Sequence, residues 1–84
     1  MLKDLLISEV RVNILKQMLP TPDKSYHVRA LVRAVDTEIN AVRRELARLH
    51  SIGLLRRRPS GNRIYYSVDT ASPYYPELLA LIAK

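Results

Sequence analysis

Seven arginines and only two acidic residues lie between residues 37 and 68 of this 84-residue chain. The arginines are Arg43, Arg44, Arg48, Arg56, Arg57, Arg58 and Arg63. The other residues hold seven basic and six acidic side chains, so the net charge of +6 comes almost entirely from this one third of the chain. A positive field concentrated in this way is what binding to a polyanion requires. A generally basic, solvated surface would leave the concentration unexplained.

Residues 38–52 have the periodicity of an amphipathic helix whose polar face suits contact with DNA. If Val42 faces the core, a step of about 100° per residue places four apolar side chains on one stripe. They are Ile39, Val42, Leu46 and Leu49. The opposite face carries small and hydrogen-bonding side chains, namely Asn40, Arg44, Ala47 and Ser51, with Arg43 and Arg48 on its flanks. Such a face suits insertion into a major groove, where a bulky apolar or acidic face would not.

The residue types on this face predict separate roles. Asparagine pairs bidentately with adenine and arginine with guanine, and recognition helices usually present their N-terminal part to the groove. We therefore predict that Asn40 and Arg44 contact base edges, while Arg43 and Arg48 contact phosphates. The alternative is a solvated face on which Glu45, at the boundary of the buried stripe, pairs with Arg44 or Arg48.

A second basic segment, residues 54–68, has the signature of a β-hairpin. Apolar residues alternate along residues 64–68, residues 54–58 supply the partner strand, and Pro-Ser-Gly-Asn at residues 59–62 is a turn signal. Alternation places Arg57 on one face and Arg56 and Arg58 on the other. We predict that the hairpin contacts the DNA backbone or minor groove through Arg57, Arg58, Asn62 and Arg63. Charge that protects an edge strand from aggregation would explain one or two of the four arginines of the hairpin, Arg56, Arg57, Arg58 and Arg63, but hardly all four.

The elements that position these residues follow from the same periodicities. A first helix begins after Ser8, a good N-cap, and ends near Leu19 before a breaker-rich loop. Apolar residues at positions 2, 5 and 6 extend its pattern upstream. Residues 25–27 are expected to pair as a short edge strand, and a second helix spans residues 28–35 with its arginines outward.

The third helix is predicted to be capped by Asp36 or Thr37 and to end near Ile52, where Gly53 can adopt the left-handed conformation. A last helix is predicted from about Tyr74 or Pro76 to Ala83. Two helices joined by a short turn form the helix-turn-helix unit. With the hairpin behind them, they predict a mainly α fold with a small β-hairpin wing (α+β), the winged helix-turn-helix.

Several segments resemble ArsR- and MarR-type winged-helix regulators. Residues 42–55, VRRELARLHSIGLL, are similar to the recognition helix and following strand of these proteins, and residues 61–68, GNRIYYSV, resemble their wing. Residues 8–19 resemble their first helix. The tail at residues 73–78 is similar to that of small archaeal and bacterial members, some of them linked to nucleotidyltransferase systems. The resemblance covers about residues 5–82.

This resemblance implies a homodimer that binds a two-fold operator on double-stranded DNA and represses transcription. The N- and C-terminal helices would pair across the two-fold axis, which gives the apolar surface of residues 2–7 and 78–82 a function. Metal-sensing members use cysteine ligands, and this chain has no cysteine. We therefore expect no metal and no cofactor, and the effector stays open. The alternative is a protein-interaction module, for example a partner of a nucleotidyltransferase or of the transcription machinery.

Length and composition argue against other classes of protein. The length predicts one domain over residues 1–84. No stretch approaches the run of about 20 apolar residues that a membrane helix needs, and no signal peptide is recognised, so we expect a soluble cytoplasmic protein. His27 and His50 are the only histidines and lack metal-ligand spacing, and the serines lie in no nucleophile motif. We therefore expect no catalytic residue and no enzymatic activity.

Overall fold

The computed structural model describes residues 8–83, and within them the order of elements is the predicted one. The elements are α1 (Glu9–Met18), β1 (Tyr26–His27), α2 (Val28–Val35), α3 (Ile39–Ser51), β2 (Leu55–Ser60), β3 (Arg63–Val68) and α4 (Tyr74–Ile82). The mainly α fold with a β-hairpin wing is thereby confirmed. The expected helical extension at residues 2–7 lies outside the described residues.

The first helix begins as its cap predicts. The Ser8 hydroxyl accepts a hydrogen bond from the backbone N–H of Arg11 at 3.3 Å, which satisfies one of the unpaired donors of the first turn. Ile14, Leu15 and Met18 form the buried face of α1. This face packs against α2 and α3.

The connection between α2 and α3 differs from the prediction that Asp36 or Thr37 caps α3. Asp36 ends α2 instead: its backbone N–H bonds to the carbonyl of Val32, and its φ of 50° is left-handed rather than the extended conformation of an N-cap. The hydroxyl of Thr37 donates to the carbonyl of Val35 at 3.0 Å and is thereby engaged with α2. The cap is Glu38, whose carboxylate accepts from the backbone N–H of Asn40.

The sheet is antiparallel, with strand order β1-β3-β2. The predicted turn at residues 59–62 is shorter in the structure, because Pro59 and Ser60 belong to β2 and pair with Ile64 and Arg63. Pro59 fits there because β2 is an edge strand, where a missing N–H need not cost a ladder hydrogen bond. Only two residues form the turn, and its first, Gly61, has the positive φ (61°) that a type II′ hairpin turn requires.

The core lies between the helices and the inner face of the hairpin. On α3, the predicted stripe is fully buried at Val42, Leu46 and Leu49, and half-buried at Ile39. Burial of each such side chain stabilises the fold by roughly 1.5–3 kcal/mol. Gly53 has a φ of 83°, so the predicted left-handed residue follows α3. The buried stripe fixes the rotation of α3 and leaves its polar face on the surface.

Candidate nucleic-acid interface

The outward face of α3 carries the predicted polar residues in exposed positions. All six predicted residues of this face are exposed, namely Asn40, Arg43, Arg44, Ala47, Arg48 and Ser51, and His50 is exposed as well. Within residues 8–83, the side chains of Asn40, Arg43 and Arg44 make no hydrogen bond or ion pair, so their donors are available to a ligand. The hydroxyl of Ser51 donates to the carbonyl of Arg48 at 2.7 Å and is less available.

Glu45 lies on α3 but does not belong to this exposed face. It is buried, and the guanidinium group of Arg11 on α1 holds both of its carboxylate oxygens, with Nη2 of Arg11 3.1 Å from Oε2. Arg48 is a peripheral partner, with Nε 3.9 Å from Oε2 and a side chain that is 61% exposed. The local pairing of Glu45 with Arg48 therefore exists, but the main partner comes from another helix. The signal in the sequence was Arg11 itself, a charged residue one turn before Ile14 on the apolar face of α1.

The hairpin divides its arginines between two faces, as alternation predicts. Arg57 pairs with Tyr66 and shares the inner face of the hairpin, whereas Arg58 pairs with Tyr65 and lies over the ring of Tyr65 at 5.4 Å on the outer face. Arg56 is also on the outer face, and its Nη2 is 3.6 Å from the carboxylate of Asp69. Arg56 is thus partly neutralised, whereas Arg57 makes no ion pair within the described residues.

A cavity of about 520 Å³ lies where α2, α3 and the tip of the hairpin meet. It is lined by His27, Val28, Arg29, Arg43, Asn62, Arg63, Ile64 and Tyr66. The cavity exists because β1 is only two residues long and pairs with β3 at Tyr65 and Tyr66 alone. The edge of β3 beyond that point stays uncovered, and the first turn of α2 borders the opening.

The structure brings three of the predicted DNA-contacting residues together at this cavity: Arg43, Asn62 and Arg63. The other five lie outside its lining, with Asn40, Arg44 and Arg48 along α3 and Arg57 and Arg58 on β2. Sequence reasoning missed Arg29 and His27 as members of this surface. The available signal was the spacing of Arg29 and Arg33, which places both cations on one face of α2. The basic and acidic residues outside 37–68 nearly balance in number, so the positive charge on α2 is not apparent from the composition of that part of the chain.

His27 connects α2 to the hairpin. Its Nδ1 accepts a hydrogen bond from the backbone N–H of Ala30 at 3.3 Å and so caps α2, and its ring meets Tyr65 edge-on at 5.7 Å between centroids. Burial lowers the pKa of His27 below the ordinary value of 6.5, and the positive charges of Arg63 and Arg33 lower it further. The pKa of the imidazole therefore depends on the positive charge of this surface.

Within residues 8–83, no three histidine, cysteine, aspartate or glutamate side chains are grouped as ligands for a metal ion. None of the described helices is long and apolar enough to span a membrane.

Comparison with known proteins gives matches at the level of three-dimensional structure. No protein-family model and no curated protein sequence matches the chain. The crystal structure of AntR, an antimony-specific transcriptional repressor, superposes with a TM-score of 0.77 at 26% identity over 98% of this chain and 68% of AntR. The winged helix-turn-helix domain of Mb0332 from Mycobacterium bovis, a possible ArsR-family regulator, superposes with a TM-score of 0.67 at 25% identity over 96% of this chain and 68% of that domain.

A third match supports the fold alone. NolR from Sinorhizobium fredii has a TM-score of 0.75 at 22% identity over 98% of this chain and 77% of NolR. These likenesses and the geometry above define the class: the chain is a winged helix-turn-helix protein of the type found in ArsR-family transcriptional regulators.

Proposed function

We propose that this chain is a sequence-specific regulator of transcription, acting as a repressor, that binds double-stranded DNA with α3 in the major groove. The observation that carries the proposal is the outward face of α3, where the side chains of Asn40 and Arg44 present donors that pair with none of the described residues, beside a basic hairpin. The likeness to AntR, a transcriptional repressor, and to the DNA-binding domain of Mb0332 supports the same function.

The residues divide between base and backbone contacts. Asn40 and Arg44 lie in the N-terminal half of α3, the part that recognition helices usually present to base edges, and we assign the bases to them. Arg43 and Arg48, on the flanks of this face, contact phosphates. The hairpin contacts the adjacent backbone or minor groove through Arg57, Arg58, Asn62 and Arg63, with Arg57 and Arg58 on opposite faces so that they do not reach the same groove.

The proposed active form is a homodimer that pairs through the terminal helices. On α4, Tyr74 and Leu81 are 38% and 40% exposed and lie two turns apart on the same side of the helix. Mb0332, which superposes on this chain, is described as homodimeric. A two-fold dimer would cover this apolar stripe and would present two copies of α3 to two half-sites.

We further propose that residues 8–83 act as a single DNA-binding domain in the cytoplasm, with no catalytic role and no bound metal or cofactor. The likeness to transcription regulators does not favour the alternative of a protein-interaction module.

Selection of duplexes from a random pool tests the proposal, with the salt dependence of binding measured on the enriched sequence. We expect a two-fold symmetric sequence to be enriched and its affinity to fall steeply with salt, because phosphate contacts release counterions. Binding that is salt-dependent but enriches no sequence would contradict specific regulation and indicate non-specific association with DNA. Absence of salt-dependent duplex binding would contradict the proposal and favour the alternative of a protein-interaction module.

A further inference from the structure

We propose that the cavity between α2, α3 and the tip of the hairpin binds a phosphate of the DNA backbone, held by Arg29, Arg43 and Arg63. This inference rests on the proposed function, because it takes duplex DNA as the ligand. It adds Arg29, on the first helix of the helix-turn-helix unit, to the residues that contact DNA.

The cavity gathers positive charge that no acidic side chain of its lining compensates. Arg29, Arg43 and Arg63 come from α2, α3 and β3, and they line one cavity whose described lining contains no acidic residue. Within residues 8–83, none of the three forms an ion pair. Like charges gathered without a counterion repel each other, and a bound anion would relieve that repulsion.

Among the described residues some arginines have an acidic partner, whereas others, such as Arg44 and Arg57, have none. Arg11 is paired with Glu45, Arg48 lies beside the same carboxylate, and Arg56 lies beside Asp69. What distinguishes the cavity is that three unpaired arginines, from α2, α3 and β3, line it together and that its described lining contains no acidic residue.

The shape of the cavity also suits a phosphate of the DNA backbone. The edge of β3 at Arg63 and Ile64 is not covered by β1, so the cavity opens to solvent along a strand edge and the first turn of α2. Val28, Ile64 and Tyr66 provide apolar lining beneath the cations. A site that is open to solvent suits a phosphodiester, which enters as part of a continuous strand. Guanidinium groups match the geometry of phosphate oxygens with paired N–H donors.

The cavity lies beside α3, the helix that we propose contacts the bases. Arg43 precedes Arg44 on α3, so the cavity borders the edge of the outward face rather than its centre. In helix-turn-helix proteins the recognition helix occupies the groove while the preceding helix crosses the backbone. A phosphate held between Arg29 and Arg43 would therefore fix the register of α3 without itself reading sequence.

His27 provides a reporter inside the same cavity. The positive groups around it are Arg29 and Arg33 on α2, Arg43 on α3 and Arg63 on β3, and the phenol of Tyr65 contacts its ring. A phosphate bound among these cations would offset their field, so protonation of His27 would become easier. DNA binding is then accompanied by a rise in the pKa of His27 and by proton uptake in weakly acidic solution.

The test compares Arg29→Gln with Arg56→Gln on the full chain. Both changes remove one exposed positive charge, but Arg56 is on the outer face of the hairpin beside Asp69. We expect R29Q to reduce the slope of log K against log salt by about 0.9, the value for one phosphate contact, and to weaken binding equally on the selected and on random duplexes. R56Q should change the slope much less. Equal effects of the two variants would overturn the proposal.

A second measurement separates this proposal from the proposed function. The imidazole of His27 is titrated by NMR with and without duplex, in the wild type and in R29Q, with dilute inorganic phosphate as a separate arm. A rise in pKa with duplex that is smaller in R29Q is expected. If the wild type binds duplex specifically but the pKa of His27 does not rise, the cavity holds no phosphate while the proposed function stands. An equal rise with inorganic phosphate alone would assign the cavity to a small anion. Absence of duplex binding by the wild type would overturn both.

Discussion

Arg11 on α1 and Glu45 on α3 form a buried, bidentate ion pair across 34 residues of sequence. Their side chains are 9% and 11% exposed, so water screens the pair little. The pair joins the first helix to the inner side of the helix that carries the proposed base-reading residues. The exposed Arg48 lies near the same carboxylate, so Glu45 contacts both a buried arginine of α1 and an exposed arginine of α3.

Removal of one member of this pair should be costly. Glu45→Ala removes the carboxylate to which the buried guanidinium of Arg11 donates two hydrogen bonds, and we expect it to lower the free energy of unfolding by about 2–3 kcal/mol. Denaturant unfolding measures the loss. The matched control is Arg48→Ala, whose exposed side chain should contribute less than about 0.5 kcal/mol. A loss in Glu45→Ala no larger than in the control would contradict a structural role for the pair.

Acidification should destabilise the fold through His27. Because the pKa of His27 is lowered below 6.5 in the folded state, the unfolded chain takes up a proton at a higher pH than the folded chain. The contribution of His27 to stability is therefore fully present above pH 6.5 and falls as the pH drops from 6.5 towards its folded pKa. Protonation also removes the acceptor that caps α2.

Unfolding free energies measured across this pH range check the role of His27. The comparison variant is His27→Asn, because asparagine can cap a helix without titrating. The wild type should lose more stability on acidification than His27→Asn does. Parallel pH profiles of the two proteins would contradict the role.

Substitution at Gly53 should weaken the connection between α3 and the hairpin. The φ of Gly53 is 83°, and a Cβ built there meets no atom within 4 Å, so the cost comes from the backbone conformation rather than from a clash. We expect Gly53→Ala to destabilise by about 1 kcal/mol and Gly53→Asn by less, since asparagine tolerates the left-handed region. Thermal unfolding of both variants tests this, and an alanine variant as stable as the wild type would contradict it.

A charge on the apolar stripe of α4 should weaken the proposed dimer. Leu81→Glu places a carboxylate on this stripe, whereas Ala80→Glu adds the same charge at an exposed neighbouring position on another side of α4. Sedimentation velocity should show more monomer for Leu81→Glu than for Ala80→Glu. If both variants remain dimeric, pairing does not use this face of α4.

Local signals in the sequence were sufficient for most of the fold. The apolar stripe of α3, the bounds of α2 and the Ser8 cap depend on residues within a few positions of each other, and all three were predicted. The cap at Glu38 was missed because Asp36 takes a left-handed conformation to end α2, a choice that the residue types at 36 and 37 do not determine.

The parts of the candidate site that could not be predicted depend on contacts between distant residues. The pairing of Arg11 with Glu45 requires the packing of α1 against α3, and the cavity depends on how short β1 is. Arg29 joins Arg43 and Arg63 only when three elements meet, so its role was not visible in a window of sequence.

Contact of α3 with base edges is tested most directly by substitution of Arg44. The affinity of Arg44→Ala is measured on the duplex selected by the wild type and on random duplex at one salt concentration. Loss of a bidentate contact to guanine should cost about 1–3 kcal/mol on the selected duplex and much less on random DNA. Equal losses on the two duplexes would contradict base reading by Arg44 and assign its guanidinium to a phosphate.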